Sequence, residues 1–276
     1  MLRARLLAGT TVKELTAENM EQKPYVRLER LRIGYRTGRH GLRIVADSLD
    51  ATLPSGRLTC LIGRNGTGKS TLLRTIAALQ PTLGGKILIG GEDTGTLSQK
   101  DMARRVSIVL TTAPNTVNMD VAQLVALGRT PYTGYWGSLK AEDLRAVQRA
   151  MSLTDITRIA RRAVSTLSDG QRQKVMVAKA LAQEAPLMLL DEPTAFLDYP
   201  SKARLMRLLV TLAHEEGKTI LLSTHDMEMA LRSADRLWLM DNNSLTEGTT
   251  EQMAADGTID RFTDGLMPRD ILTTAR

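Results

Sequence analysis

One cysteine in 276 residues, Cys60, excludes an intramolecular disulfide and a thiolate metal cluster, and fits a reducing cytoplasm. Histidine is almost as scarce, and His40, His214 and His225 show no metal-ligand spacing. No stretch approaches the roughly 18 consecutive apolar residues that span a bilayer, since Leu187 to Leu190 and Ile220 to Leu222 are short runs in mixed sequence. The chain is not expected to cross a membrane by itself. Its start, MLRARLLAGTTVKEL, is basic, but the apolar run ends at Leu7, short of the hydrophobic region of a secretory signal. Internal repeats and low-complexity tracts are absent.

What is present is an ordinary globular composition, 42% hydrophobic and 24% charged, which excludes a disordered or collagen-like chain. At about 150 residues per domain the length suits one large domain or two small ones. The net charge of +7 raises the question of a nucleic-acid partner, and its distribution answers it. Residues 1–43 hold 10 Lys and Arg against 4 Asp and Glu, whereas the remaining 233 residues hold 27 against 26. The body is close to neutral, and no nucleic-acid partner is expected. Residues 1–24 read as a solvated basic extension, with Met20 a second plausible start.

From Tyr25 the pattern is strand-like (YVRLERLRIGY), and after a turn at Gly38 to Gly41 apolar and polar residues alternate to Leu53. Leu58 to Ile62 and Leu187 to Leu190 read as buried strands, with Val106 to Leu110, Ile220 to Ser223 and Arg236 to Met240 as further strands. Helical spacing covers Ser70 to Leu79, about Asp120 to Leu127, Ala141 to Met151, Gly170 to Gln183 and Pro200 to Gly217. In the last of these Leu205, Leu208, Leu209 and Leu212 form one apolar stripe. Strands alternating with helices imply an α/β fold with a mostly parallel sheet covered on both faces.

Between the Leu58 strand and the Ser70 helix lies GRNGTGKS, a P-loop pattern in the context it requires. Gly66 and Gly68 let the backbone curl so that successive N–H groups converge on phosphate oxygens, and the helix points its positive end at the same place. Gly63, Arg64, Asn65, Gly66, Thr67, Gly68, Lys69, Ser70 and Thr71 are the candidate phosphate cradle. Lys69 is placed for the β- and γ-phosphates of ATP and Ser70 for Mg²⁺. In PLMLLDEP two carboxylates follow an apolar strand at its carboxyl end. Asp191 suits Mg²⁺ through its water shell, and Glu192 suits the orientation or deprotonation of an attacking water. STHD ends another strand, so His225 projects from the same edge.

The segment LSDGQRQKVMVAKAL, Leu167 to Leu181, together with these motifs in this order, resembles the nucleotide-binding subunit of ATP-binding cassette (ABC) transporters. The resemblance runs from about Tyr25 to Gly248. It implies a RecA-like P-loop core, residues 25–112 and 184–276, with a helical subdomain inserted at 113–183 and an antiparallel β part near the N-terminus. It further implies that two copies sandwich two ATP molecules, with Ser168, Gly170 and Gln171 of one copy contacting the γ-phosphate held by the other. TAFLD is similar to the loop that crosses the dimer seam, ending at Asp198, and Tyr35 matches the aromatic that stacks on adenine. Two positions depart from the family pattern: Asp169 stands where glycine is usual, and Thr111 where a glutamine reaches Mg²⁺. In a first helical turn Asp169 can point outward and favour the helix dipole.

VAQLVALGRTPYTGYWGSL, Val121 to Leu139, resembles the segment found in ATPases of iron-siderophore, haem and cobalamin importers. Tyr132, Tyr135 and Trp136 fall in it, and they serve either as a binding surface or as packing. The implied function is ATP hydrolysis at the cytoplasmic face of the cell membrane, powering metal-chelate import through two integral-membrane permease subunits fed by a substrate-binding protein. The rival readings are a soluble ABC-type ATPase acting on DNA or ribosomes, a weakly coupled regulatory ATPase, and a P-loop kinase. The kinase reading leaves Leu167 to Gln171 unexplained.

Overall fold

Three short runs decide the architecture. LTCLI, LMLLD and TILLST are buried at every position, and a strand buried on both faces belongs in the middle of a covered parallel sheet. The computed structural model describes residues 24–37, 41–111, 119–134, 137–241 and 243–266. In chain order the elements are β1 (Pro24–Thr37), β2 (Gly41–Pro54), β3 (Leu58–Ile62), α1 (Lys69–Ile76), β4 (Gly84–Ile89), β5 (Glu92–Asp93), α2 (Gln99–Arg105) and β6 (Val106–Val109). Then follow α3 (Val121–Ala126), α4 (Ala141–Leu153), α5 (Asp169–Ala182), β7 (Leu187–Asp191), α6 (Tyr199–His214), β8 (Thr219–Thr224) and α7 (Met227–Ser233). The chain continues through β9 (Arg236–Asp241), β10 (Ser244–Thr249), α8 (Thr250–Ala255) and α9 (Thr258–Phe262).

One sheet has the order β10-β9-β3-β8-β7-β6, parallel except for the β9–β10 edge pair. A second, antiparallel sheet has the order β2-β1-β4-β5. Alternation along the parallel strands divides the core. Leu61, Leu189 and Leu221 face α1 and the antiparallel sheet, while Cys60, Leu190 and Leu222 face α3, α5, α6 and α7. Glu247 joins the two sheets: its carboxylate accepts Thr52 N–H at 2.8 Å and Trp238 Nε1–H at 3.1 Å.

Two helices are shorter than their sequence spacing suggests. α1 stops at Ile76, with Ala78 at φ +54°, and α6 stops at His214, ahead of Gly217 at φ +66°. The 84–105 region, unassigned in sequence, supplies β4, β5 and α2. Among the described residues no helix is long and apolar enough to cross a membrane.

Candidate functional site

Between β3 and α1 the chain turns sharply, with Gly66 at φ +87° and Gly68 at φ +107°. Gly68 is demanded twice, by its backbone and by space, because a Cβ there would lie 2.3 Å from Val45 Cγ1. α1 has no side-chain cap and no acid in its first turn, so its N–H groups and positive end are left for an anion. Lys69 is buried, and its ammonium donates to the carbonyls of Gly63 at 2.7 Å and Arg64 at 3.3 Å. The same ammonium lies 3.5 Å from Glu192 Oε1. Arg64 and Asn65 are exposed at the loop's tip, and Thr67 Oγ1 donates to Arg64 O at 3.0 Å.

Parallel pairing of β7 with β8 sets Asp191 beside Ser223. Asp191 Oδ1 accepts the hydroxyls of Ser70 and Ser223, each at 2.9 Å. One residue on, Glu192 adopts φ +49°, and its N–H donates to Ser223 O at 3.2 Å and Ser223 Oγ at 2.9 Å. This turn sends the Glu192 carboxylate between Lys69 and His225, whose Nδ1 is 2.9 Å from Glu192 Oε2. Thr111 Oγ1 donates to the Asp191 carbonyl at 2.9 Å, so this hydroxyl braces the end of β7. A hydroxyl and a carboxylate in contact form a small hard-oxygen set with places left for phosphate oxygens and water, and such a set suits Mg²⁺. Ser223 carries no role in the sequence reading, although it opens the STHD segment. Val45 has no sequence signal at all, because its position depends on how β2 passes the P-loop.

Tyr35 stands near the end of β1, 40% exposed, with its hydroxyl 2.5 Å from Thr71 Oγ1, so the ring flanks the first turn of α1. The remaining sequence candidates gather elsewhere. Ser168 caps α5 in a reciprocal box with Gln171, both hydrogen bonds being 3.3 Å. Asp169 points outward and pairs with Arg172 at 3.7 Å, as its place in a first helical turn predicts. Gly170 is not crowded, for a Cβ would meet nothing nearer than Ser201 Oγ at 3.5 Å. Asp198 caps α6 by accepting Ser201 N–H at 3.0 Å, and hydrogen bonds from the Ser201 side chain and backbone hold its carboxyl below the usual carboxylate range. Beside it Phe196 is 85% exposed and Tyr199 73% exposed. The P-loop, Asp191, Glu192 and His225 thus form one cluster. Among the described residues no hydrogen bond or ion pair joins Ser168, Gly170, Gln171 or Asp198 to it.

Of the aromatic loop, the Tyr132 ring packs against two guanidinium groups, those of Arg129, 4.1 Å from the ring centre, and Arg104, 5.3 Å from it. Tyr135 and Trp136 lie outside the described residues.

This constellation has counterparts. Residues 46–195, which include the P-loop, Ser168 to Gln171 and the Asp191–Glu192 pair, match the family model described as ABC transporter. The chain belongs to the ABC transporter family. The ferric enterobactin transport ATP-binding protein FepC of Escherichia coli (strain K12) is 38% identical over 238 residues, covering 86% of each chain. The iron(3+)-hydroxamate import ATP-binding protein FhuC of Bacillus subtilis (strain 168) is 37% identical, covering 83% of this chain and 84% of that one. A solved inward-facing ABC transporter assigned to the metal-chelate type superposes with a TM-score of 0.74 at 25% identity, covering 88% of this chain and 90% of that chain. A dimeric ATP-binding cassette in a post-hydrolysis state with ADP and Pi gives a TM-score of 0.71 at 25% identity, covering 81% and 98%. ABC ATP-binding subunits are ATPases, so ATP is the substrate of this ABC chain.

Proposed function

We propose that this chain hydrolyses ATP to power import of a metal chelate, of the iron-siderophore, haem or cobalamin kind, through two separate integral-membrane permease subunits. It works at the cytoplasmic face of the cell membrane as a homodimer, and a substrate-binding protein delivers the cargo to the permeases. The observation that carries the cargo class is that relatives covering most of this chain are named for ferric enterobactin, iron(3+)-hydroxamate and cobalamin transport.

Residues 25–112 and 184–276 form the ATPase core in this reading, with residues 113–183 as the inserted helical part. ATP binding exchanges the carbonyl partners of Lys69 for the β- and γ-phosphates, with the N–H groups of Gly63 to Thr71 around them. Ser70 and Asp191 would hold Mg²⁺, which would supply neutralisation of phosphate charge. Glu192 takes the proton of the attacking water, and His225 holds the far oxygen of that carboxylate. Tyr35 stacks on adenine. From a second copy, Ser168, Gly170 and Gln171 meet the γ-phosphate, and Asp198 anchors the seam loop. The uncrowded Gly170 supports this, since the chain's own packing does not require glycine there.

The test is Lys69→Ala in the native host. Import of a siderophore, haem or cobalamin is expected to stop while sugar, peptide and phosphate import continue. Normal uptake of all three chelates together with failure of another import would overturn the cargo assignment.

A further inference from the structure

Past the bulge that leaves Val45 without a register partner, β1 and β2 pair regularly, Gly34 with Ile44, Tyr35 with Arg43, Arg36 with Leu42 and Thr37 with Gly41. Directly opposed residues share a face of a sheet, so the Arg43 side chain leaves β2 on the side of Tyr35. That side looks onto α1, because the Tyr35 hydroxyl lies 2.5 Å from Thr71 Oγ1. Val45, two residues farther along β2, reaches the end of the P-loop, its Cγ1 filling the space a Cβ on Gly68 would need. The Arg43 backbone is fixed as closely. A Cβ on Gly34 would stand 2.1 Å from the Arg43 carbonyl oxygen, so β2 presses against β1 beside Tyr35 only because residue 34 is glycine.

Charge argues for an anion on that side. Arg43 is exposed, and its guanidinium has no ion pair or hydrogen bond among the described residues. α1 opens toward it with a positive end and no acid in its first turn. The nearby carboxylates are engaged elsewhere, Glu192 by Lys69 and His225 and Asp191 by two hydroxyls. With the β- and γ-phosphates at Lys69 and adenine on Tyr35, the α-phosphate has to lie between the P-loop and Tyr35, the stretch that Arg43 overlooks. At about 3.3 Å per residue, β2 sets Arg43 roughly 7 Å beyond the Val45 contact, a gap that the long stem of arginine spans.

We propose that Arg43 is a further nucleotide-binding residue, its guanidinium donating to the α-phosphate of the ATP held by the P-loop of the same chain. This rests on the reading above that puts adenine on Tyr35 and the outer phosphates on Lys69. The planar fork of arginine matches the geometry of phosphate oxygens. Because the α-phosphate is common to ATP and ADP and the same whatever the base, the contact serves any nucleoside diphosphate or triphosphate alike and needs no second copy of the chain.

Calorimetric titration of the full chain with ADP and with GDP tests the inference. Arg43→Met keeps an apolar stem and removes the charge, so both affinities should fall by about tenfold, the loss expected for one charge-assisted hydrogen bond. The gap between variant and wild type should narrow as salt is raised. Arg43→Lys should recover part of the loss. The melting temperature of the nucleotide-free chain should hold, since the guanidinium has no partner there to lose. A Met variant with wild-type ADP affinity overturns the inference. So does a loss for ADP without one for GDP, which would put the group on the base, or a loss accompanied by a lower melting temperature, the pattern of a structural role. A Tyr35→Ala chain that binds ADP as tightly as wild type would instead overturn the placement of adenine beneath it.

Discussion

Glu192 occupies a backbone region that costs a non-glycine residue about 1–2 kcal/mol, with φ at +49°. Its N–H is held by both oxygens of Ser223, and the strained turn delivers its carboxylate to Lys69 and His225. Replacing it with Gln keeps size and hydrogen bonding but removes the ability to take a proton. Glu192→Gln is expected to slow single-turnover hydrolysis by about 10²-fold or more, with ATP affinity undiminished because Lys69 loses an anionic neighbour. Rapid-quench kinetics beside a nucleotide titration check both halves, and an unchanged rate would move the base elsewhere. The residues whose type is dictated by phosphate chemistry, Gly66, Lys69, Ser70, Asp191 and Glu192, were legible because the spacing of a strand, a turn and a helix is local. Cys60 was legible too: burial, aided by the charge of Asp235, pushes its thiol up to about 12, in keeping with a packed, inert side chain. Ser223, Val45 and the bracing role of Thr111 were not, since each depends on which strands are neighbours in space.

Among the elements, the helical part is tied together by a buried cation that sequence alone left inside the motif ALGR. Arg129 Nε donates to Asp143 Oδ1 at 2.9 Å, and one terminal nitrogen donates to Ala182 O at 2.8 Å and Glu184 Oε2 at 2.7 Å. Its flat face lies on the Tyr132 ring, whose other neighbour, Arg104, belongs to α2. One guanidinium therefore links the turn after α3, the start of α4 and the end of α5, the helix that carries Ser168 at its far end. Arg129→Met leaves Asp143 buried without its cation and should lower the melting temperature by roughly 10 °C. Arg129→Lys should recover only part of this, because a single ammonium cannot span the fork. Calorimetry of the two variants decides, and a melt equal to wild type for Met would show the cluster to be dispensable. Elements with a full apolar stripe, such as α6 with Leu205, Leu209 and Leu212 buried, were readable in sequence. β4 and α2 were not: β4 buries only Ile87 and Ile89, and α2 only Met102, too few positions to set a period.

At the scale of the whole molecule, the proposed sandwich reads the fold as two incomplete halves of a site. The carboxyl ends of β3, β7 and β8 gather the P-loop, Asp191, Glu192 and His225, while Ser168 and the uncrowded Gly170 open at the start of α5. Exposed Phe196 lies between the acidic pair and α6, and exposed Tyr199 opens that helix. A second copy related by a two-fold axis would set each α5 start against the other copy's phosphates and cover both aromatics, closing two equivalent sites at once. The γ-phosphate is then the shared ligand, so dimerisation is linked to its presence: a group bound only by the dimer shifts assembly by mass action. Glu192→Gln, which preserves ATP, is expected to run as a dimer in sizing chromatography with ATP and as a monomer with ADP or without nucleotide. Adding Ser168→Arg, which removes the cap and places a bulky side chain at the start of α5, should abolish the dimer while leaving ATP bound at the P-loop. A Glu192→Gln chain that binds ATP yet stays monomeric throughout would refute the sandwich, and a dimer that persists equally with ADP would place its adhesive in Phe196 and Tyr199 rather than in the nucleotide.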